Sequence, residues 1–376
     1  MKKIIPLIFT SFLLLSCSNV HEYELKDYQT VFEYKNGYKV LVLSDIHLAT
    51  TTNLDKQFNY LTKVIYSNYL IDYPNANIEV DIKDESKRSL LASYAPDLIM
   101  LNGDTYMIAN RNVVDESLAF IDSFGIPFGF INGNHDLQGL YGNRYVDNVL
   151  KSKENSIYKN PRNDNVTGDT NYVVNLKDGD EVKWQVFAID CNTYYLGKYD
   201  SIQDNQVDWY KKQVVDGGYA NSIIISHIPL QEYEDAWRRE TNGTFAISSS
   251  VDYTGKSSWY LGDKAVAASP YGDNLFEAIQ EMGGVTKGFI AAHDHMNISD
   301  FVYRGDYDHD VRLIYGLKGG DGIYHDDRFM GGSFYTLNDD GTFEIAHNFV
   351  PYGHSETNGV FKMSKTYIES GGSVNE

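Results

Sequence analysis

Five short polar clusters along this chain hold residue types that bind metal ions and move protons. In order they are Asp45-Ile46-His47, Gly103-Asp104, Gly133-Asn134-His135-Asp136, His227, and His293-Asp294-His295. Each histidine alone would more often be a structural residue than a ligand. Together the clusters hold five of the chain's ten histidines, and that joint pattern favours chemistry. Imidazole mixed with carboxylate suits borderline metals such as Mn, Fe, Zn or Co better than Ca. The chemistry such a set supports is the binding of a metal ion that can act as a Lewis acid.

Composition leaves room for little else. The 376 residues allow two domains or one large α/β domain. With 42% hydrophobic and 22% charged residues the chain is neither disordered nor a polytopic membrane protein. Two cysteines exclude a disulfide framework and any thiolate-rich metal cluster. A formal charge of −20 opposes binding to a nucleic-acid polymer.

The elements that must position the clusters follow from periodicity. Tyr38–Leu43, Asp97–Leu101, Pro127–Ile131, Trp184–Ile189, Ser222–Ile225 and Lys287–Ala292 are short apolar runs of buried-strand type. Five of them run directly into the five clusters. Further strands are expected at Val311–Tyr315, Gly332–Leu337 and Thr342–Phe349. Helices are expected from Leu54 to Ile65 with Thr52 or Asn53 as N-cap, and over Val113–Phe124, Asp204–Val215 and Asp273–Met282. Alternating strands and helices indicate α/β architecture, in which ligands bind at the carboxyl ends of strands. Residues 22–37 show no clear period, and Tyr233–Pro270 reads as an aperiodic loop or lid.

The order D-x-H, G-D, G-N-H-D, a lone His and H-x-H resembles the calcineurin-like metallophosphoesterase family over roughly residues 38–296. Ala292, in place of a glycine before the last pair, is the one departure. The resemblance implies a four-layer α/β/β/α sandwich of two mixed β-sheets flanked by helices. It implies two divalent or mixed-valence transition metal ions, one held by Asp45, His47 and His295, the other by Asn134, His227 and His293. Asp104 would bridge them. It further implies that a hydroxide shared by the ions attacks phosphorus, and that His135 protonates the leaving oxygen, a role suited to a histidine pKa near 6.5. Asp136 is read either as the residue that orients His135 or as a plain loop carboxylate.

Purple acid phosphatases place glycine where His47 stands and an iron-binding tyrosine three residues after Asp104, where this chain has Met107. Tyr106 is one residue out of register, so an iron–tyrosinate centre is not expected and the protein should be colourless. Asn171–Asn175, the strand ending at Asp190, Gln206 with Trp209, Ser226–Tyr233, His293–Asn297 and Leu317–Gly322 look most like the plant type-29 purple-type phosphatases and their yeast counterparts, which also lack that tyrosine. His21, His309, His325, His347 and His354 read as surface or loop residues, with His325 a candidate to line the pocket. Arg238 and Arg239 read as a solvated basic pair, with a phosphate clamp as the alternative.

At the N-terminus, Lys2 and Lys3 precede an apolar run ending Leu14-Leu15-Ser16-Cys17. This reads as a lipoprotein signal peptide over 1–16, with Cys17 carrying the lipid. An exported, membrane-anchored protein is expected, its formal charge going from −20 to −22 as the two lysines leave. Residues 17–37 would be a tether, 38–352 one catalytic domain with the lid around 233–270, and 353–376 a polar tail. The expected activity is hydrolysis of small extracellular phosphomonoesters. The alternatives are a phosphodiesterase or nuclease acting on small diesters, and a non-catalytic metal-containing binding lipoprotein.

Overall fold

The apolar strand runs bury both of their faces, which fixes how the sheets stack. Ile223, Ile225, Ile290 and Ile314 point into one apolar cluster, while Ile224, Phe289, Leu313 and Tyr315 belong to another. Successive side chains on a strand point to opposite faces, so this sheet is covered on both sides. The first cluster also holds Val40, Val42, Leu98, Met100, Phe128 and Phe334 from a second sheet. The computed structural model describes residues 24–138, 142–160, 165–240, 248–250, 258–261, 265–352 and 361–362.

Two large mixed sheets pack face to face with helices outside each, the α/β architecture expected. One sheet runs Phe361–Lys362, Phe343–Phe349, Gly331–Leu337, Tyr38–Leu43, Leu98–Asn102, Phe128–Ile131. Its last three strands are parallel. The other runs Gln29–Glu33, Tyr172–Asp178, Glu181–Ala188, Asn221–Ile225, Thr286–Ala291, Val311–Tyr315, Asn297–Tyr303, Ser258–Leu261, Ser248–Ser250. Its four strands from Glu181–Ala188 to Val311–Tyr315 are parallel. The parallel strands of both sheets carry the polar clusters at their carboxyl ends.

The helices form where apolar spacing and caps agree. Leu54–Ile65 begins at Asn53, whose side chain accepts the Lys56 N–H at 3.1 Å. Arg111–Asp122 lies two residues earlier than its expected span, because Asn110 supplies the cap and Ser123–Gly125 form a turn. Asp204–Asp216, Glu232–Glu240 and Leu275–Glu281 cover the outer face of the larger sheet.

Several segments differ from expectation. Gln29–Glu33, expected in a tether, is an edge strand parallel to Tyr172–Asp178. Tyr28 and Tyr34 are buried at its two ends, and between them the strand is held by backbone pairing and by the Gln29 amide, which donates to Gln213 Oε1 at 2.9 Å and to the Asp216 carboxylate. The first part of the expected lid is the helix Glu232–Glu240, because Tyr233, Ala236 and Trp237 form a buried face at helical spacing. Ser248–Ser250 and Ser258–Leu261 then extend the sheet edge as antiparallel strands. His347, expected at the surface, is 5% exposed in strand Phe343–Phe349, its Nδ1 2.8 Å from the Ser333 hydroxyl. The expected signal segment 1–16, Cys17, His21, His354 and most of the 353–376 tail lie outside the described residues. No helix among the described residues is long and apolar enough to cross a membrane.

Candidate metal centre

Each cluster begins where its strand ends. Leu43 is followed by Asp45 and His47, Asn102 by Asp104, and Ile131 by Asn134 and His135. In the facing sheet Ile225 is followed by His227, and Ala291 by His293 and His295. Four of these residues, Asp45, His47, Asp104 and His293, have φ of 52°, 53°, 48° and 74°. Left-handed backbone is unfavourable for residues with a Cβ and persists only where surroundings impose it. Here the loops impose it on one another. The Asp45 N–H donates to Gly103 O at 3.1 Å and the His47 N–H to Asp104 O at 2.8 Å. The His293 N–H donates to Asp45 Oδ2 at 3.1 Å across the seam between the sheets.

Glycine is required twice by close approach. A Cβ on Gly103, itself at φ +75°, would stand 2.3 Å from His227 Nδ1. A Cβ on Gly133 would stand 2.2 Å from Asp104 Oδ1. The glycine of the G-D pair therefore makes room for a ligand from the other sheet.

The side chains gather into two groups, Asp45 with His47 and His295, and Asp104 with His227 and His293, the ligand atoms of each group within 4.8 Å of one another. Nε2 of His47 and of His295 face each other at 3.0 Å, and lie 3.6 and 3.3 Å from Asp45 Oδ1. Asp104 Oδ2 is 3.3 Å from His227 Nε2 in its own group and 3.7 Å from His47 Nε2 in the other. Its Oδ1 accepts the His135 N–H at 2.8 Å, leaving one oxygen turned to both groups.

Asp45 Oδ1, Asn134 Oδ1 and His293 Nδ1 are buried and make no hydrogen bond within the protein, and the buried His227 Nε2 faces the Asp104 carboxylate at 3.3 Å. Unsatisfied buried acceptors of this kind are costly, and a convergent set of carboxylate, imidazole and amide oxygen is what borderline divalent ions coordinate. The residues therefore fit two metal ions, with Asn134 oriented for the second by its Nδ2–H bond to the Tyr194 hydroxyl (3.2 Å). Two imidazoles are held from behind: Nδ1 of His227 lies 3.0 Å from Asn102 O, and Nδ1 of His295 lies 3.0 Å from Tyr324 O. Such bonds leave Nε2 for an ion.

Charges in the centre are strongly coupled. Burial alone would raise Asp45, but the His295 and His227 imidazoles outweigh it and hold its carboxyl well below the usual range. Burial disfavours charge on His227, yet Asp104 and then Asp45 push it up to about 10. Burial lowers His47 to about 4, and burial with the His227 charge lowers His293 to about 3. In the metal-free chain His227 thus keeps a proton that burial strips from His47 and His293.

His135 is half-buried, its ring edge-on to His47 at 5.3 Å between centroids. Asp136 does not hydrogen-bond to it. The Asp136 carboxylate accepts the N–H groups of Tyr106 and Gly133, both at 2.8 Å, and so pins the loop after one strand to the loop after the next. The carboxylate is drawn to those backbone donors, which the tight G-N-H-D turn presents inward, so the orienting role expected for Asp136 is not what its geometry serves. Burial, then Asp104, raises its pKa to about 8.

Tyr106 is fully buried with its hydroxyl 3.0 Å from Ser117 Oγ, away from the ligands. His325 turns to its own loop, with Nδ1 on Ile323 O and Nε2 3.0 Å from Asp327; its neighbour Tyr324 is the residue that reaches the centre, stacked on His295 at 4.4 Å. Arg238 pairs with Glu234 one turn away, and Arg239 lies over the Tyr303 ring, so neither contacts the ligands. His309 is exposed.

Sequence reasoning missed Tyr194 and Tyr199, at the ends of a two-residue hairpin, and Lys318, whose buried ammonium reaches the centre. The tyrosines flanking Leu196-Gly197 and the lysine in the Leu317–Gly322 stretch were the available signals. The motif residues Asn171, Asp190 and Gln206 form a buried network instead of a ligand set. Gln206 Nε2 donates to Asn171 Oδ1 and Asp190 O, and Asp190 Oδ2 accepts from Asp169 and Thr170. This network holds the strand end that leads to Asn192 and Tyr194.

The sequence profile of the calcineurin-like phosphoesterases matches residues 38–297, a span that contains all seven candidate ligands and His135. A Schizosaccharomyces pombe protein described as uncharacterized is 25% identical over 216 residues, covering 54% of this chain and 38% of that protein. The match therefore spans well under half of that relative's length. Among solved structures, GAP50, the anchor in the inner membrane complex of Plasmodium, is 12% identical over 88% of this chain and 89% of its own, with a TM-score of 0.46. The Haemophilus influenzae NAD nucleotidase NadN is 10% identical over 88% and 60%, with a TM-score of 0.38.

Proposed function

This chain belongs to the calcineurin-like phosphoesterase family, and on that premise we propose that it is a phosphatase that hydrolyses small phosphomonoesters at a dinuclear metal centre. The observation that carries the reading is the single free oxygen of Asp104, turned at once to His47 and His227. A carboxylate oxygen shared in this way supports a bridge between two cations ~3.5–4 Å apart.

Asp45, His47 and His295 would hold one ion and Asn134, His227 and His293 the other, with Asp104 common to both. Ions bound there would supply Lewis acidity toward the phosphoryl oxygens and a water of lowered pKa as nucleophile. The protein's own residues do the rest. The Asn102 and Tyr324 carbonyls fix the tautomers of His227 and His295. His135, half-buried beside His47 and outside both ligand groups, donates a proton to the departing oxygen.

The negative net charge favours small substrates over polymeric ones. The motif context favours the branch of plant type-29 and related yeast phosphatases, and the buried Tyr106 agrees with a centre lacking tyrosinate. The Lys2–Cys17 stretch supports export and a lipid anchor, with small extracellular esters as substrates. A Cys17→Ser variant found in the membrane fraction as fully as the parent would refute the anchor.

The test of the activity is the chain loaded with Mn and assayed on p-nitrophenyl phosphate and its bis-ester. Hydrolysis of the monoester in preference to the diester is expected. Preference for the bis-ester would make the protein a phosphodiesterase. Turnover of neither, by a chain shown to hold two ions, would make it a non-catalytic metal binder.

A further inference from the structure

The candidate ligands are buried: Asp45, His47, Asp104, Asn134 and His227 are at most 2% exposed. A phosphoryl group must reach them, so the rest of the ester lies at the rim. Two half-exposed aromatic rings stand there, one against each ligand group. Tyr194, 46% exposed, accepts a hydrogen bond from Asn134 Nδ2. Tyr324, 48% exposed, lies flat on the His295 ring at 4.4 Å and 21°.

Both rings are held in place. Tyr194–Tyr195 pairs with Lys198–Tyr199 in a hairpin whose register sets Tyr194 opposite Tyr199. Tyr199 packs edge-on to His293 at 4.6 Å and lies 5.4 Å from Tyr194. The turn residues Leu196 and Gly197 have φ of 48° and 77°, the signs required by the tight two-residue turns of twisted hairpins. A leucine 81% exposed in the left-handed region is a strained choice, and strain of that kind gathers at functional sites. From outside, Tyr271 donates its hydroxyl to Tyr195 O and Ser269 its hydroxyl to Tyr199 O, each at 3.0 Å. On the other side the Tyr324 carbonyl faces His295 Nδ1, so the ring and the ligand it covers move together. Lys198, the hairpin's cation, sits opposite Tyr195 and by strand alternation projects to the face away from Tyr194. At these two positions the rim thus presents aromatic faces instead of charge.

We infer that Tyr194 and Tyr324 form the leaving-group subsite of this centre, and that they select phosphomonoesters whose leaving group carries a planar ring, a nucleobase or aryl group. The inference rests on the phosphatase reading above and names the substrate class for it. Base–aromatic stacking tolerates any ring with a π-face and contributes about tenfold in affinity per stacked base.

The test has a binding arm and a turnover arm. A nucleoside 5′-phosphonate and methylphosphonate are titrated calorimetrically into the metal-loaded chain. Adenosine 5′-monophosphate, phenyl phosphate, glycerol 3-phosphate and glucose 6-phosphate are compared by kcat/KM. The wild type should bind the nucleoside phosphonate at least about tenfold tighter and prefer the two ring-bearing esters by a similar factor. Tyr194→Ala and Tyr324→Ala should each reduce that preference several-fold, and Tyr194→Phe and Tyr324→Phe should keep it. Where an alanine variant loses metal, the leucine variant, which fills the space without a planar face, replaces it. Equal affinity for the two phosphonates, a preference that survives loss of both rings, or faster turnover of glucose 6-phosphate overturns the inference and leaves the phosphatase reading standing. No turnover of any of the four esters by a chain holding two ions overturns the phosphatase reading itself.

Discussion

The ammonium of Lys318 lies 2.8 Å from the carbonyl oxygen of Asp45, and the lysine is 2% exposed. It donates to the left-handed turn that aims the Asp45 carboxylate, and it places a positive charge beside two buried carboxylates. Burial lowers its pKa to about 8, with Asp45 and Asp104 opposing that shift. Removing one partner of a buried charge network typically costs about 3–5 kcal/mol. Lys318→Met should therefore destabilise the metal-free chain by an amount of that order, and the metal-loaded chain by less, because bound cations take over the compensation of Asp45 and Asp104. Thermal unfolding with and without Mn measures both. An equal loss in the two states would show that Lys318 acts only through packing.

Metal loading should release protons. His227 is raised to about 10 in the metal-free chain by Asp104 and Asp45. Its charged form therefore stabilises that chain fully below pH ~6.5, and the contribution is lost as the pH rises through about 10. An ion requires the neutral imidazole, so binding at pH 7.5 expels about one proton from this site, and apparent affinity should fall about tenfold per pH unit on acidification. Calorimetric titration of Mn in Tris and in HEPES, which differ in ionisation enthalpy, should give different heats; identical heats would contradict the assignment.

Gly103→Ala should cripple the second ion site without unfolding the protein. The new Cβ meets the His227 ring and must also adopt φ near +75°, a conformation costing roughly 1–2 kcal/mol. Expected is loss of about one bound metal per chain with near-UV circular dichroism retained. Two full ions by elemental analysis would mean that His227 is not a ligand.

His135→Ala should lower kcat on the order of 10²–10⁴-fold with metal content unchanged. The deficit should be larger for phenyl phosphate than for p-nitrophenyl phosphate, whose better leaving group needs less protonation. A loss equal for both esters would assign His135 to phosphate binding instead of proton donation.

Asp136→Ala should act differently. The carboxylate ties the Tyr106 and Gly133 backbones and touches no reacting group, so metal affinity should drop several-fold through loosened Asp104 and Asn134 while the pH profile of kcat keeps its shape. A shifted profile would restore the idea that Asp136 governs His135.

Much of this centre was legible in the sequence because strands buried on both faces are apolar without interruption, so a change to Asp, His or Asn marks where each ends. Asp45, Asp104, Asn134, His227 and His293 were visible for that reason. What escaped depends on tertiary contact. Tyr194 and Tyr324 look like any exposed tyrosine until the fold sets one beside Asn134 and the other on His295. Asp136 offered no hint in sequence that two backbone N–H groups would claim its oxygens. The helix Glu232–Glu240 was hidden by its charged outer face, which outnumbers the Tyr233, Ala236 and Trp237 stripe that buries it. Gln29–Glu33 was missed because an edge strand held by its flanking tyrosines needs no alternation of its own.

The ligands come from both sheets, with Asp45 and His293 joined at 3.1 Å across 248 positions of chain. Neither half of the polypeptide alone carries a complete set for either ion. Metal capture would therefore be a checkpoint on assembly: the chain would acquire its chemistry only after both sheets have docked in register. A partly folded intermediate would be chemically silent, and a bound pair of ions would act as a rivet across the seam, linking resistance to unfolding with the capacity to react.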